Sequence, residues 1–278
     1  MEELINFSII TVCYNSSATI ERTIKSILAQ TYQDFEYIIV DGGSTDTTID
    51  IVKRYEPLLN GKMRWKSEPD MGIYDAMNKG IRQATGRLIG IVNSDDWLQP
   101  DALANVADAF EKNGRNENAL YCGGINFISE RGVKTMNVNL ATFKRQACLY
   151  IMSGIRHPGT FVPRDVYDKI GLFNSEMKLS ADEDFVLRCY YGGIEFYDIK
   201  HIASNMQEGG ISTENSKSSE LISRSDRKIM LRNFNKTGLE YLWLYYSWQV
   251  RYFVASTIKW LMKSMRNDKL FGNDICLF

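Results

Sequence analysis

The sequence predicts an α/β protein: a Rossmann-like, mostly parallel sheet with helices on both faces, followed by a C-terminal helical extension. Three observations carry this. Short apolar runs alternate with amphipathic segments between Phe7 and Val92. The runs are near-continuously apolar, as in strands covered on both faces. Polar clusters stand where the runs stop, the position at which open α/β sheets bind ligands.

The first run, Phe7 to Asn15, is β-branched and apolar, and Ser16 and Ser17 offer a cap for a helix with Ile20, Ile24, Ile27 and Leu28 on one face. Phe35–Val40 repeats the pattern as a second strand. Asp41–Asp46 then forms a tight loop into a helix over Thr47–Tyr55. Met63–Lys66 is a third strand, Gly72 to Ala84 a helix, and Leu88–Val92 a fourth strand that stops in Asn93-Ser94-Asp95-Asp96.

Beyond Pro100, which suits the first turn of a helix ending near Asn113, the alternation loosens. Strand-like pieces at Leu120–Ile128 and Val133–Val138 and a short helix at Thr142–Ile151 suggest a mixed half. A helix is expected over Ala181–Tyr191, closed by Gly192-Gly193, then a strand at Ile194–Ile199 and a loop at Met206–Thr213. Ser212–Ser219 reads as a flexible segment. The expected division is a catalytic domain over 1–213 and an extension over 214–278.

Composition narrows the function classes. Among the 278 residues, 33 Lys and Arg nearly balance 34 Asp and Glu, so no global basic field draws in nucleic acid. Five scattered cysteines include no pair at metal-ligand spacing and read as reduced thiols of a cytoplasmic protein. The start, Met1-Glu2-Glu3-Leu4, has neither a basic segment nor an apolar run of a secretory signal.

Two adjacent carboxylates at a sheet crevice, Asp95 and Asp96, offer hard oxygen ligands to Mg2+ or Mn2+. The plain alternative is that Ser94 to Asp96 cap the next helix. Asp41, at the end of the second strand, is placed to accept from the base or ribose of a nucleotide, with Gly42 and Gly43 permitting close backbone approach. An ordinary turn capped by Ser44 would read the same way. Asp182, Glu183 and Asp184 open a helix, where mutual repulsion would raise their pKa values toward those of a general base. Favourable charge at a helix N-terminus is the alternative.

Four blocks, Ile10 to Asn15, Val40 to Asp46, Gly72 through Asn78-Lys79-Gly80, and Asn93 to Asp96, occur in the order shown by family 2 glycosyltransferases, which this chain resembles from about Phe7 to Thr213. The resemblance implies a GT-A fold and an inverting single displacement. It implies a nucleoside diphosphate sugar, with UDP the expected nucleotide, held with Mn2+ or Mg2+, and a glycan or lipid-linked acceptor. By the same resemblance Thr11, Tyr14 and Asn15 line the nucleoside pocket and Asp41 contacts the base. Asp70, Lys79, Asn93 and Asp95 lie by the donor, and Asp96 is the principal metal ligand. Asp182 is the expected base, with Glu183 and Asp184 as rivals. His157 is expected on the acceptor side as a neutral imidazole, and His201 as a further candidate metal ligand or a structural histidine at a strand edge.

Three departures from the family pattern stand out: Gly42 and Asn93 occupy positions where many members carry aspartate, and Ala181 replaces a glutamate. They keep open a binding module without turnover. A nucleotidyltransferase would open on a basic, Gly-rich loop that this chain lacks. An oxidoreductase would need Gly-x-Gly-x-x-Gly where Cys13-Tyr14-Asn15-Ser16-Ser17 stands. The tail from 239 to 266 mixes Trp, Tyr and basic residues, which suits peripheral contact with a membrane or packing on the catalytic domain or a second copy as a homodimer.

Overall fold

The computed structural model describes residues 6–150, 154–209 and 217–250. Strands are β1 (Phe7–Cys13), β2 (Phe35–Asp41), β3 (Met63–Ser67), β4 (Leu88–Ile91), β5 (Trp97–Leu98), β6 (Ala119–Ser129), β7 (Gly132–Met136), β8 (Thr160–Pro163) and β9 (Glu195–Gln207). Helices are α1 (Ile20–Leu28), α2 (Thr48–Tyr55), α3 (Ile73–Gln83), α4 (Ala102–Lys112), α5 (Leu140–Ala147), α6 (Arg164–Ile170), α7 (Ala181–Tyr191) and α8 (Lys217–Asn233).

The sheet runs β3-β2-β1-β4-β8-β6-β9-β5, with β7 paired on β6. The β3-β2-β1-β4 part is parallel throughout. Beyond β4 the sheet is mixed, because β8 enters antiparallel to both β4 and β6 while β6 and β9 run parallel. The chain leaves β1 for β2 on one side and places β4 on the other, so a crevice opens at the carboxyl ends of β1 and β4.

Continuous apolar strands are what this burial demands: every residue of β1 and of β4 is buried. Helix α3 lies close on β1, since a Cβ on Gly80 would stand 2.5 Å from Ile10 Cγ2. Phe7, Phe161, Phe110 and Tyr121 fill the core in edge-to-face pairs.

Several expectations are corrected. Ser16 and Ser17 do not cap α1, which starts at Ile20 after Thr19; the Ser16 hydroxyl is engaged by its own loop and by Ser94. Helix α8 begins at Lys217, inside the stretch expected to be flexible. The strand expected at Ile194–Ile199 continues to Gln207, carried by a long parallel pairing with β6. Strand β8 and helix α6 were not anticipated, because Pro158 and Pro163 mask a four-residue strand. Cys13, Cys122 and Cys189 are buried free thiols, and Cys148 is an exposed one.

Two compact units divide the chain at Asp226 and Arg227. The described part of the second unit includes a helix over 238–250. Among the described residues no helix is long and apolar enough to cross a membrane. Residues 251–266 of the aromatic tail and 210–213 of the loop expected at Met206–Thr213 lie outside the described residues.

Candidate active site

The crevice at the ends of β1 and β4 is a cleft of about 590 Å³. Its walls include Tyr14, Asn15, Asp70, Asn93, Asp95, Asp96, His157 and Asp182, eight of the residues singled out from sequence. Their sequence separation is large, but each sits at a strand end or helix start that the parallel topology brings to one edge.

The loop after β4 is held from several sides. Thr23 of α1 donates its hydroxyl to the carbonyls of Ser94 and Asp96 at 3.0 and 2.6 Å. Arg22 donates to the Asp95 carbonyl at 2.8 Å while its guanidinium stacks 3.7 Å over Trp97. The Gln207 N–H donates to Asp96 Oδ1 at 3.1 Å. Helix α4 starts only at Ala102, so Asp95 and Asp96 do not cap it.

This grip leaves Asp96 only 2% exposed. Burial, followed by the neighbouring charge of Asp95, pushes its pKa up to about 7. Burial raises Asp95 as well. Asn93 Oδ1 is buried without a hydrogen-bond partner beside them. Two destabilised carboxylates and an orphaned amide oxygen suit a hard divalent cation. Among the described residues no cluster of three acidic, His or Cys side chains forms a complete protein cage. A cation here would therefore draw its remaining ligands from a bound substrate and water.

On the same cleft, Asp182 lies in the first turn of α7 and accepts a 3.0 Å hydrogen bond from the Tyr74 hydroxyl of α3. Asp184, two residues on, turns away: it is fully buried and pairs with Arg188 at 2.8 Å. Neither Glu183 nor Asp184 lines the cleft. The expected mutual repulsion of the three carboxylates is thus not what shapes this corner, and the close acidic pair is Asp95 with Asp96. Burial lowers the His157 pKa, leaving a neutral imidazole near Asp182.

The remaining expectations move to the scaffold. Asp41 is fully buried and accepts from the Gly43 and Ser44 N–H groups and the Ser44 and Ser67 hydroxyls, so its lone pairs are spent on the loop. Thr11 is buried and accepts from Tyr37. Asn15 lines the cleft, but its side chain accepts from the Thr45 N–H and ties the β1 and β2 loops together. Lys79 is turned to the Pro69 carbonyl, Glu68 and Asp75. His201 is exposed on β9, six residues before Gln207, roughly 15–20 Å of strand from the Asp96 end, and is no ligand there.

Three residues escaped the sequence reading. Tyr74 sits in a motif legible only as helix. Lys178 lines the cleft and donates to the Met71 carbonyl at 3.2 Å. Asp226 is buried on α8, and its carboxylate accepts from the N–H groups of Lys178, Leu179 and Ser180 at 2.7–3.1 Å. A lone Asp in a polar helix carries no signal of such a contact.

The model of glycosyl transferase family 2 matches residues 8–171, which span β1 through α6 and most of the cleft. The chain belongs to this family. A PGL/p-HBAD biosynthesis glycosyltransferase of Mycobacterium bovis (strain BCG / Pasteur 1173P2) is 34% identical over 211 residues, covering 74% of this chain and 78% of the relative. TarS 1-349 of S. aureus, solved in complex with UDP-GlcNAc, superposes with a TM-score of 0.64 at 21% identity, covering 86% of this chain and 69% of TarS. The mannosyltransferase PcManGT of Pyrobaculum calidifontis, solved with GDP-Man and Mn2+, gives 0.58 at 18% identity, covering 84% and 65%. The fold of this family 2 glycosyltransferase is therefore GT-A, with the cleft at the switch point of the sheet.

Proposed function

We propose that this glycosyltransferase moves a sugar from a nucleoside diphosphate donor, UDP-linked in the first instance, to a hydroxyl of a glycan or lipid-linked acceptor with inversion at the anomeric carbon. The observation that carries the reading is that Asp96 and Asp182, 86 residues apart in sequence, line one cleft. Inversion by single displacement needs a leaving group on one side of the sugar and a base on the other.

Asp182 is the proposed base. Its Oδ1 is anchored by Tyr74, which leaves Oδ2 to take the acceptor proton as the hydroxyl attacks. His157, half-buried on the cleft wall with its pKa lowered by desolvation, orients the incoming hydroxyl by hydrogen bonding. On the donor side Asp95, Asp96 and the Asn93 oxygen are the residues that would hold Mn2+ or Mg2+. Such an ion supplies charge neutralisation of the departing diphosphate. Lys178 is the one Lys or Arg among the described residues lining the cleft, and it adds a cation there.

In the second unit, exposed Leu239, Leu242, Trp243, Tyr246 and Val250 recur at helical spacing and form one apolar stripe. This supports peripheral seating at a membrane, where a lipid-linked acceptor would be met.

The test is a panel of nucleotide sugars with and without Mn2+, followed by nucleoside diphosphate release. Release from at least one donor, abolished by a chelator, is expected. No release from any donor overturns the reading.

A further inference from the structure

We propose that Asp226 of α8 is a positioning residue for the reaction: its carboxylate holds the chain that enters α7, and so sets where Asp182 stands in the cleft. The proposal rests on the reading of Asp182 as the base and adds to it a residue that itself touches no substrate.

The chain entering α7 has no local means of fixing itself. Residues 171–180 form neither helix nor strand, so the N–H groups of Lys178, Leu179 and Ser180 have no ladder to join. Ser180, which precedes the helix, makes no side-chain cap hydrogen bond. The three N–H groups converge instead on Asp226. Its Oδ2 accepts from all of them at 3.0, 2.7 and 3.0 Å, and its Oδ1 accepts again from Lys178 at 3.1 Å. Asp226 is only 1% exposed, so water does not compete for these charge-assisted bonds.

The segment so held works in the cleft. Lys178, Leu179 and Asp182 all line it. Lys178 Nζ donates to the Met71 carbonyl at 3.2 Å, and Asp182 accepts from Tyr74 at 3.0 Å, so two contacts tie the segment to the loop before α3 and to its first turn. Both require the backbone of 178–182 to lie where it does, and Asp226 fixes that backbone at three consecutive residues. Asp226 stands beyond residue 171, where the family match ends, and beyond residue 213, the expected end of the catalytic domain. It nonetheless belongs to the first compact unit, together with these partners.

Nucleoside diphosphate release from the donor that the panel above selects, measured with Mn2+ on the full chain below the melting temperature of each variant, tests the assignment. Asp226→Ala is expected to lower kcat at least ~10-fold with donor KM within ~3-fold, since a displaced catalytic group is expressed in turnover. Asp226→Glu keeps an acceptor on a longer arm, displaces the segment without stranding its N–H groups, and should lower kcat at least ~3-fold. Asp226→Asn can keep its carbonyl oxygen on the three N–H groups and should stay within ~3-fold of the wild type. In an Asp182→Asn background, Asp226→Ala and Asp226→Glu should each cost at most a further ~2-fold, because the group they displace is already gone.

Wild-type kcat in whichever of the Ala and Glu variants folds would overturn the assignment and leave Asp182 as the base. So would the same fold loss with and without the Asp182 carboxylate, or a rise in donor KM at unchanged kcat. Wild-type turnover in Asp182→Asn alone would overturn the base reading, and this assignment with it.

Discussion

The hydroxyl of Tyr74 donates to Asp182 Oδ1 at 3.0 Å, joining the first turn of α3 to the first turn of α7. Burial and the neighbouring Asp182 carboxylate hold the Tyr74 pKa well above its ordinary value, so the phenol keeps its proton and donates at any working pH. The contact fixes one oxygen of the proposed base, a residue of the cleft wall.

Replacing that donor should loosen the base without emptying the donor site. Tyr74→Phe is expected to lower kcat by about 10-fold and to leave the KM for the nucleotide sugar within about 2-fold, because orientation of a catalytic group is expressed in turnover. Steady-state kinetics at saturating donor check this. A rise in donor KM with kcat unchanged would place Tyr74 in donor binding instead.

Asp226 predicts a stability effect coupled to activity. Its buried carboxylate gathers three consecutive N–H groups just before α7, and removing it strands all three. Asp226→Ala should cost roughly 3 kcal/mol of unfolding free energy, since hydrogen bonds to charged groups are worth about 1.5–3 kcal/mol and do not add fully. Urea unfolding measures it. A change below about 1 kcal/mol would show that the segment is held elsewhere.

Asp96 should trade stability for binding. A carboxyl raised in the folded state to about 7 is neutral in acid and costs stability as pH rises from about 4 through about 7. Asp96→Asn is therefore expected to unfold at higher urea than the wild type at pH 8 in chelator, and the margin should close toward pH 4. Mn2+ with UDP should reverse the order by stabilising only the wild type. A pH-independent difference between the two proteins would contradict the shift.

The parallel half of the fold was legible because each strand is a buried apolar run ending in polar residues, and β1, β2 and β4 fall where those runs fall. Strand β8 was not, since four residues between prolines give no period to detect. Within the site, Asp95, Asp96 and Asp182 were legible from type and position, and the cleft brings them together. Asp41 was not readable as a scaffold residue, because an aspartate that spends its lone pairs on its own loop and one that leaves them free can stand in the same glycine-rich turn. Which it is depends on neighbours such as Ser67, distant in sequence, that consume the lone pairs. Asn78 makes the same point: it exchanges two hydrogen bonds with the backbone of Phe173, a partner no motif announces.

The account stands on Asp96 and Asp182 serving one donor from two sides, and nucleoside diphosphate release at saturating nucleotide sugar tests it most directly. Asp96→Asn and Asp182→Asn, each folded by thermal melting, should both release diphosphate at least ~100-fold more slowly than the wild type, the scale of lost metal or general-base catalysis. Release within a few-fold of wild type in either variant would contradict the account.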